Sequence, residues 1–150
     1  YSISAHIGLG LLIVSIALNS EFSSERAINI KLKGNDTYMG HEINFDNLEL
    51  IKMSNHDSVR ASFIVNDPKG KRFILSPEKR KYFTRGQITT ETAIHATPLK
   101  DIYITLGDQL DDGSWIVNIQ FNYFIRWVWF SAILMALAGS LLAFSLRRAN

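Results

Sequence analysis

Few residues of this chain carry chemistry: four histidines, a run of lysines and arginines, and no cysteine at all. His6 stands out because it sits in an uncharged, apolar stretch from Ser2 to Leu18. An ionisable group in such a segment is costly and usually faces other protein, often with a function. Helical spacing puts Ser2, His6, Gly10 and Ala17 on one face, all small except the histidine. Bare backbone around an imidazole makes room either for a close neighbouring helix or for a flat cofactor. A neutral imidazole is a normal ligand of haem iron, and equally a hydrogen-bonding residue between packed helices. The residues alone leave both open. Six-coordinate iron needs a second axial ligand, and no other histidine of the sequence lies in an apolar segment, so a second ligand must come from outside this chain.

The other candidates are weaker. His41, His56 and His95 are isolated, without the spacing of a metal site, and are expected in loops or on the surface. Lys69, Lys71, Arg72, Lys79, Arg80, Lys81 and Arg85 form a basic stretch. It suits the carboxylates of a cofactor or of an acidic partner, with Lys79, Arg80 and Lys81 at its centre, or it is a solvated strand face and rim. No glycine-rich phosphate loop and no nucleophile arrangement is present. The lack of cysteine removes disulfides, thiolate metal sites and thiol nucleophiles.

Two helices must position these residues. Phe124 to Leu146 is apolar apart from Arg126, Gly139 and three serines, and Arg147 and Arg148 close it. Its roughly 34 Å as a helix crosses a hydrocarbon core of about 30 Å with some tilt. Tyr123, Phe124, Trp127, Trp129 and Phe130 crowd one end like an interfacial belt, where Arg126 can snorkel, and the arginine pair marks the cytoplasmic side. Ala132, Ala136, Gly139, Ser140 and Ala143 run down one side at a spacing that lets backbones approach closely in lipid. They ask for a partner, either the first helix or others outside the chain. The first apolar stretch, at about 17 residues, is roughly 26 Å long, just short of a span. The chain begins without methionine inside that run, so it reads as a truncated spanning helix of a longer polypeptide. A signal-peptide core with Ser15-Ile16-Ala17 as cleavage site is the competing reading.

Between the helices the period changes to two. Ile28, Ile30 and Leu32 alternate with polar residues, and Gly34-Asn35-Asp36 turns the chain. Strands are expected at His41 to Phe45, Leu48 to Lys52 and Val59 to Asn66. Asn66-Asp67-Pro68-Lys69-Gly70 is a turn that lets Arg72 to Leu75 pair back, and Ile102 to Leu106 pairs with Trp115 to Phe121 around Gly107 to Ser114. These short strands point to a small antiparallel barrel or sandwich. The expected fold class is therefore membrane α+β. Residues 1–19 and 124–146 span, residues 20–123 form a β-rich domain opposite the arginine pair, on the periplasmic side, and residues 147–150 are a cytoplasmic tail. All 14 acidic residues and 13 of the 16 basic ones fall between Ser20 and Phe121. That part is close to neutral, so the formal net charge of +2 is no argument for nucleic acid.

Taken in order, the local patterns resemble a known family. Ala5-His6-Ile7-Gly8 is followed by Pro77-Glu78-Lys79-Arg80-Lys81-Tyr82 and Thr90-Glu91-Thr92-Ala93-Ile94. Then come Asp101-Ile102-Tyr103 with Leu106-Gly107, and Arg126-Trp127-Val128-Trp129 with Leu134-Met135-Ala136-Leu137-Ala138-Gly139. This order is similar to the C-terminal part of the CcmF family of cytochrome c-type biogenesis proteins, with its NrfE-type relatives, over nearly the whole chain. Thr89 stands where that family often has methionine, Thr92 where it has alanine, Tyr123 for a proline, and Ser131 and Ala138 for glycines. None of these touches a ligand; they bear on how the last helix is approached and packed.

The resemblance implies a multi-spanning component of the haem lyase in the bacterial inner membrane, with a mitochondrial inner membrane the other location. It implies partners: the rest of the parent membrane protein, a small haem lyase partner subunit, a periplasmic haem chaperone, apocytochrome c and membrane lipid. It also implies a b-type haem held by two histidines and used to reduce the incoming haem iron. The histidine of the alanine-histidine-x-glycine pattern corresponds to His6. The tryptophan-rich haem-handling segment of that family is absent here, so no catalytic residue is carried over and the piece alone is not expected to catalyse. The β-domain is expected to dock partners. The alternative is a two-span membrane scaffold or binding protein with an external β-domain and no haem, in which His6 only packs.

Overall fold

The computed structural model describes residues 2–84 and 86–149. Two helices, α1 (Ser2–Phe22) and α2 (Ile125–Ala149), bracket the strands. In chain order the strands are β1 (Ser24–Ile30), β2 (Asn35–Tyr38), β3 (His41–Lys52), β4 (His56–Asn66) and β5 (Arg72–Leu75). They continue with β6 (Glu78–Tyr82), β7 (Ile88–Glu91), β8 (Ala93–Ala96), β9 (Lys100–Gln109) and β10 (Trp115–Tyr123).

The strands form two sheets, one ordered β1-β10-β9-β8 and one β2-β3-β4-β6-β7, with β5 also paired to β4. The fold is a sandwich, which decides between the two architectures the strand pattern allowed. The chain steps from one sheet to the other at both side edges, from β1 to β2 and from β7 to β8. Period-two alternation builds the core: β10 buries Trp115, Val117 and Ile119, and β9 buries Ile102, Ile104 and Leu106. The other sheet supplies Ile43 and Phe45 from β3 and Ala61, Phe63 and Val65 from β4. Each large apolar side chain so buried contributes about 1.5–3 kcal/mol. Phe45 and Phe63 are cross-strand partners, stacked at 4.7 Å.

The expected hairpin of β4 and β5 forms, closed by the Asn66–Gly70 turn. Asp67 Oδ1 accepts the Lys69 and Lys71 N–H groups at 2.8 Å, and Gly70 takes a φ of +79°. Three details differ from the sequence expectation. His41–Phe45 and Leu48–Lys52 are one strand, because a bulge at Asp46 shifts the register between Phe45 and Asn47 and reverses the alternation. Leu32 is exposed, since β1 ends at Ile30 and Lys31 starts a turn closed by the Gly34 N–H. Gly107 lies inside β9 and not in the hairpin loop; a Cβ there would be 2.9 Å from the Ile116 carbonyl oxygen. The loop itself is closed by the Leu110 N–H on the Ser114 carbonyl at 2.7 Å.

The second compact unit consists of α1, α2 and the 96–101 segment. Both helices are long and apolar enough to cross a membrane. α1 continues to Phe22, and α2 carries Arg147 and Arg148 on the helix.

Candidate functional site

α1 and α2 pack along a narrow seam of small residues. Gly8 and Ser15 are buried on α1, Ser131 and Ala138 on α2. A Cβ on Gly8 would lie 2.6 Å from Met135 Cγ, so glycine is what permits the approach. The two hydroxyls are satisfied within their own helices, Ser15 on the Leu11 carbonyl and Ser131 on the Val128 carbonyl, each at 2.7 Å. The sequence reading missed this seam. Its signal was the small residue two places after His6, which meets Ser131, a position where the resembling family has glycine.

His6 lies on the opposite side of α1. Gly10, Ile13 and Ala17 share its face and are exposed with it, and a Cβ on Gly10 would meet nothing within 4 Å. The side chain of Ser2, the fourth residue of the expected face, lies outside the described residues. The imidazole therefore points away from α2, beside open backbone. The alanine stripe of α2 behaves likewise: Ala132, Ala136, Gly139, Ser140 and Ala143 are exposed. Their partner is not α1.

The start of α2 is clamped within its own unit. Arg126 Nε donates to Asp101 Oδ1 at 3.1 Å, Trp127 Nε1 to the Pro98 carbonyl at 2.9 Å, and the Phe124 N–H to the Leu99 carbonyl at 2.8 Å. Arg126, expected to snorkel, is thus anchored to a buried carboxylate. Asn19 Nδ2 donates to the Tyr123 carbonyl at 2.6 Å, and the Tyr123 N–H donates to Ser23 Oγ at 3.2 Å. Phe124 takes a φ of +59° where β10 ends and the helix begins.

In the sandwich the basic run divides. Lys69, Lys71 and Arg72 are exposed around the Asn66–Gly70 turn and the start of β5, and Arg85 lies outside the described residues. The remaining three are on β6, which the sequence reading did not recognise as a strand. Lys79 forms an ion pair with Asp108 of β9, joining the two sheets. Arg80 pairs with Glu78 at 2.7 Å and also with Glu91. Glu78 in turn binds Arg60 at 2.9 Å, so Arg60, Glu78, Arg80 and Glu91 form a ladder across β4, β6 and β7. The Arg80 guanidinium, with Arg60 beside it, holds the Glu78 carboxyl down to about 2 against the cost of its burial. Lys81 is exposed and makes no ion pair among the described residues. Of the three proposed contact cations, two are engaged inside the domain.

The histidines do not converge. His41, expected at the surface, is buried at the start of β3 with Nδ1 2.8 Å from the Met39 carbonyl oxygen. His56 lies 5.1 Å from the Tyr82 ring, and His95 stacks on Phe73 at 3.8 Å. Among the described residues no group of histidine and carboxylate side chains is placed to hold a metal ion.

The profile of the CcmF C-terminal beta-sandwich matches residues 21–122. The chain belongs to that family. It is 34% identical over 148 residues to the cytochrome c-type biogenesis protein CcmF of Escherichia coli K12, covering 97% of this chain and 22% of that protein. CcmF of Pseudomonas aeruginosa is 32% identical over 145 residues, covering 95% of this chain and 22% of that protein. A solved structure, the cytochrome c heme lyase CcmF, superposes with a TM-score of 0.69 at 14% identity, over 91% of this chain and 23% of that one. That likeness supports the fold of this CcmF-family chain. The chain spans about a fifth of the length of these relatives.

Proposed function

We propose that this chain is the C-terminal section of a haem lyase component acting in cytochrome c maturation in a bacterial inner membrane. In this reading both helices cross the bilayer and the sandwich lies on the periplasmic side, docking the haem chaperone or the apocytochrome. His6 would hold the iron of a b-type haem shared with helices outside the chain. The observation that carries this is the placement of His6 with Gly10 and Ala17 on the face of α1 turned away from α2. A planar group needs bare backbone beside its ligand, and the open space at Gly10 fits that need. A haem held there by His6 would supply a one-electron couple. The part of this chain is to hold the imidazole oriented, with the Gly8–Ser131 seam fixing the rotation of α1.

The test is an optical spectrum of the purified full-length parent and of its His6→Ala form, each scored also for cytochrome c maturation in cells. Loss of a bis-histidine b-haem signature with loss of maturation supports ligation. An unchanged spectrum returns His6 to packing and the chain to a two-span scaffold. Topology is checked in a cysteine-free form of the full-length parent: one cysteine at Lys69 should react with a membrane-impermeant maleimide added from the periplasmic side. Protection of that thiol in intact spheroplasts counts against the placement.

A further inference from the structure

The six-stranded sheet ends at β7, which pairs with β6 on one side and has no partner on the other among the described strands. The Tyr82 N–H donates to the Gln87 carbonyl at 2.9 Å, closing the loop between them. Counting on by twos, Arg80 with Thr89 and Glu78 with Glu91 exchange backbone bonds in the antiparallel ladder. Ile88 and Thr90 therefore turn their N–H and C=O groups outward. Edge strands with such free groups are templates for another chain unless proline, a bulge or charge guards them. β7 reads Ile-Thr-Thr-Glu and has only Glu91 for that purpose.

Beside this edge is a cavity of about 330 Å³. Cross-strand partners share a face, and the registers give two rows: Leu50–Val59–Lys79–Thr90 and Lys52–Asp57–Lys81–Ile88. Seven of these eight residues line the cavity. Leu50 is 76% and Ile88 56% exposed, a large apolar contribution for a water-facing surface. Lys79 is held by Asp108, whereas Lys52 and Lys81 are exposed on either side of Asp57 and form no ion pair among the described residues. The floor is apolar, and its rim carries one positive charge in excess.

We propose that β7 and the near side of this groove form a β-augmentation site for an extended segment of a partner protein that carries apolar and acidic side chains together on one face. Its backbone pairs with Ile88 and Thr90. Every second side chain faces the groove, the apolar ones against Ile88 and a carboxylate reaching Lys81, two strand spacings or about 10 Å away. This rests on the docking role given to the sandwich above and moves it from Lys79 and Arg80, which serve internal pairs, to Lys81.

The test uses the full chain in detergent micelles and fluorescein-labelled decapeptides, one with valine and glutamate taking turns at every second position and threonine between them, the other with lysine in place of glutamate. Anisotropy should show saturable binding of the acidic peptide and binding weaker by about tenfold or more for the basic one. Thr90→Pro removes an outward N–H and no bond to β6, and should abolish binding. Lys81→Glu, at an exposed position, should invert the preference even if the proline variant proves unstable. Equal binding of the two peptides, or full binding to Thr90→Pro, or no binding of the acidic peptide, overturns the proposal. In the full-length parent the Thr90→Pro change should leave the haem spectrum intact, and His6→Ala should leave peptide binding intact, so the two readings fail separately.

Discussion

Replacing Glu78 by glutamine tests whether the ladder on β4, β6 and β7 holds this edge of the sandwich together. The carboxylate is 6% exposed and bridges two guanidiniums, Arg60 at 2.9 Å and Arg80 at 2.7 Å. Glu78→Gln keeps the shape and removes the charge, leaving two cations side by side with only Glu91 near Arg80. The fall from an ordinary 4.5 to about 2 corresponds to roughly 3 kcal/mol at about 1.4 kcal/mol per pH unit. The half-exposed Arg60 makes that a ceiling, yet it matches the about 3–5 kcal/mol lost when one partner of a buried pair is removed.

The pH dependence gives the sharper check. A carboxyl with a folded pKa below its unfolded one stabilises fully above about pH 4.5, and this contribution drains away as pH falls toward about 2. Wild type and Glu78→Gln should therefore differ most at neutral pH and converge on acidification. For a domain of about 100 residues, 2–3 kcal/mol is a drop of at least about 10 °C in Tm. The assay is thermal unfolding of the full chain in micelles, followed by the β-sheet circular dichroism from pH 7 to pH 2.5. Glu49→Gln, in the same cross-strand row but exposed, should stay within about 0.5 kcal/mol. A gap between Glu78→Gln and wild type that is small at pH 7, or constant with pH, would refute the reasoning.

Other outcomes follow from single contacts. Gly107→Ala drives a Cβ to 2.9 Å from a backbone oxygen and should cost about 1–3 kcal/mol in urea denaturation; an unchanged midpoint would mean that β9 and β10 can part there. Gly8→Val should separate α1 from α2 while Gly10→Val should not, read as loss of excitation transfer between probes on the two helices. Equal effects of the two would contradict the seam. Asp101→Asn removes the charge that anchors Arg126 and should speed amide exchange in the first turn of α2; unaltered exchange would show that the Trp127 and Phe124 bonds suffice.

Much of the fold was readable because its core strands alternate cleanly and its helices do not. Trp115, Val117 and Ile119 announce a strand by period alone. β6 gave no such signal: Glu-Lys-Arg-Lys-Tyr is a strand because its charges find partners on neighbouring strands, which no local pattern contains. Asp46 hid the continuity of β3, since one extra residue inverts every later side chain. β2, β7 and β8 are four-residue edges, too short for a period. Of the candidate site, the type of residue at position 6 was legible, and so was its bare surround. Which helix face meets α2 was not, because both faces of α1 carry small residues and only packing chooses Gly8 over Gly10.

The first and last strands are neighbours in one sheet, and Ser23 and Tyr123 are hydrogen bonded where the chain leaves α1 and returns to α2. A segment whose two ends meet within about one strand spacing is a cassette. It can be excised and bridged by a short glycine turn, leaving a helical hairpin whose pairing no longer depends on what it carries. Cytochrome maturation could then be tried with foreign modules spliced into the same gap, separating what the rods do from what their cargo does.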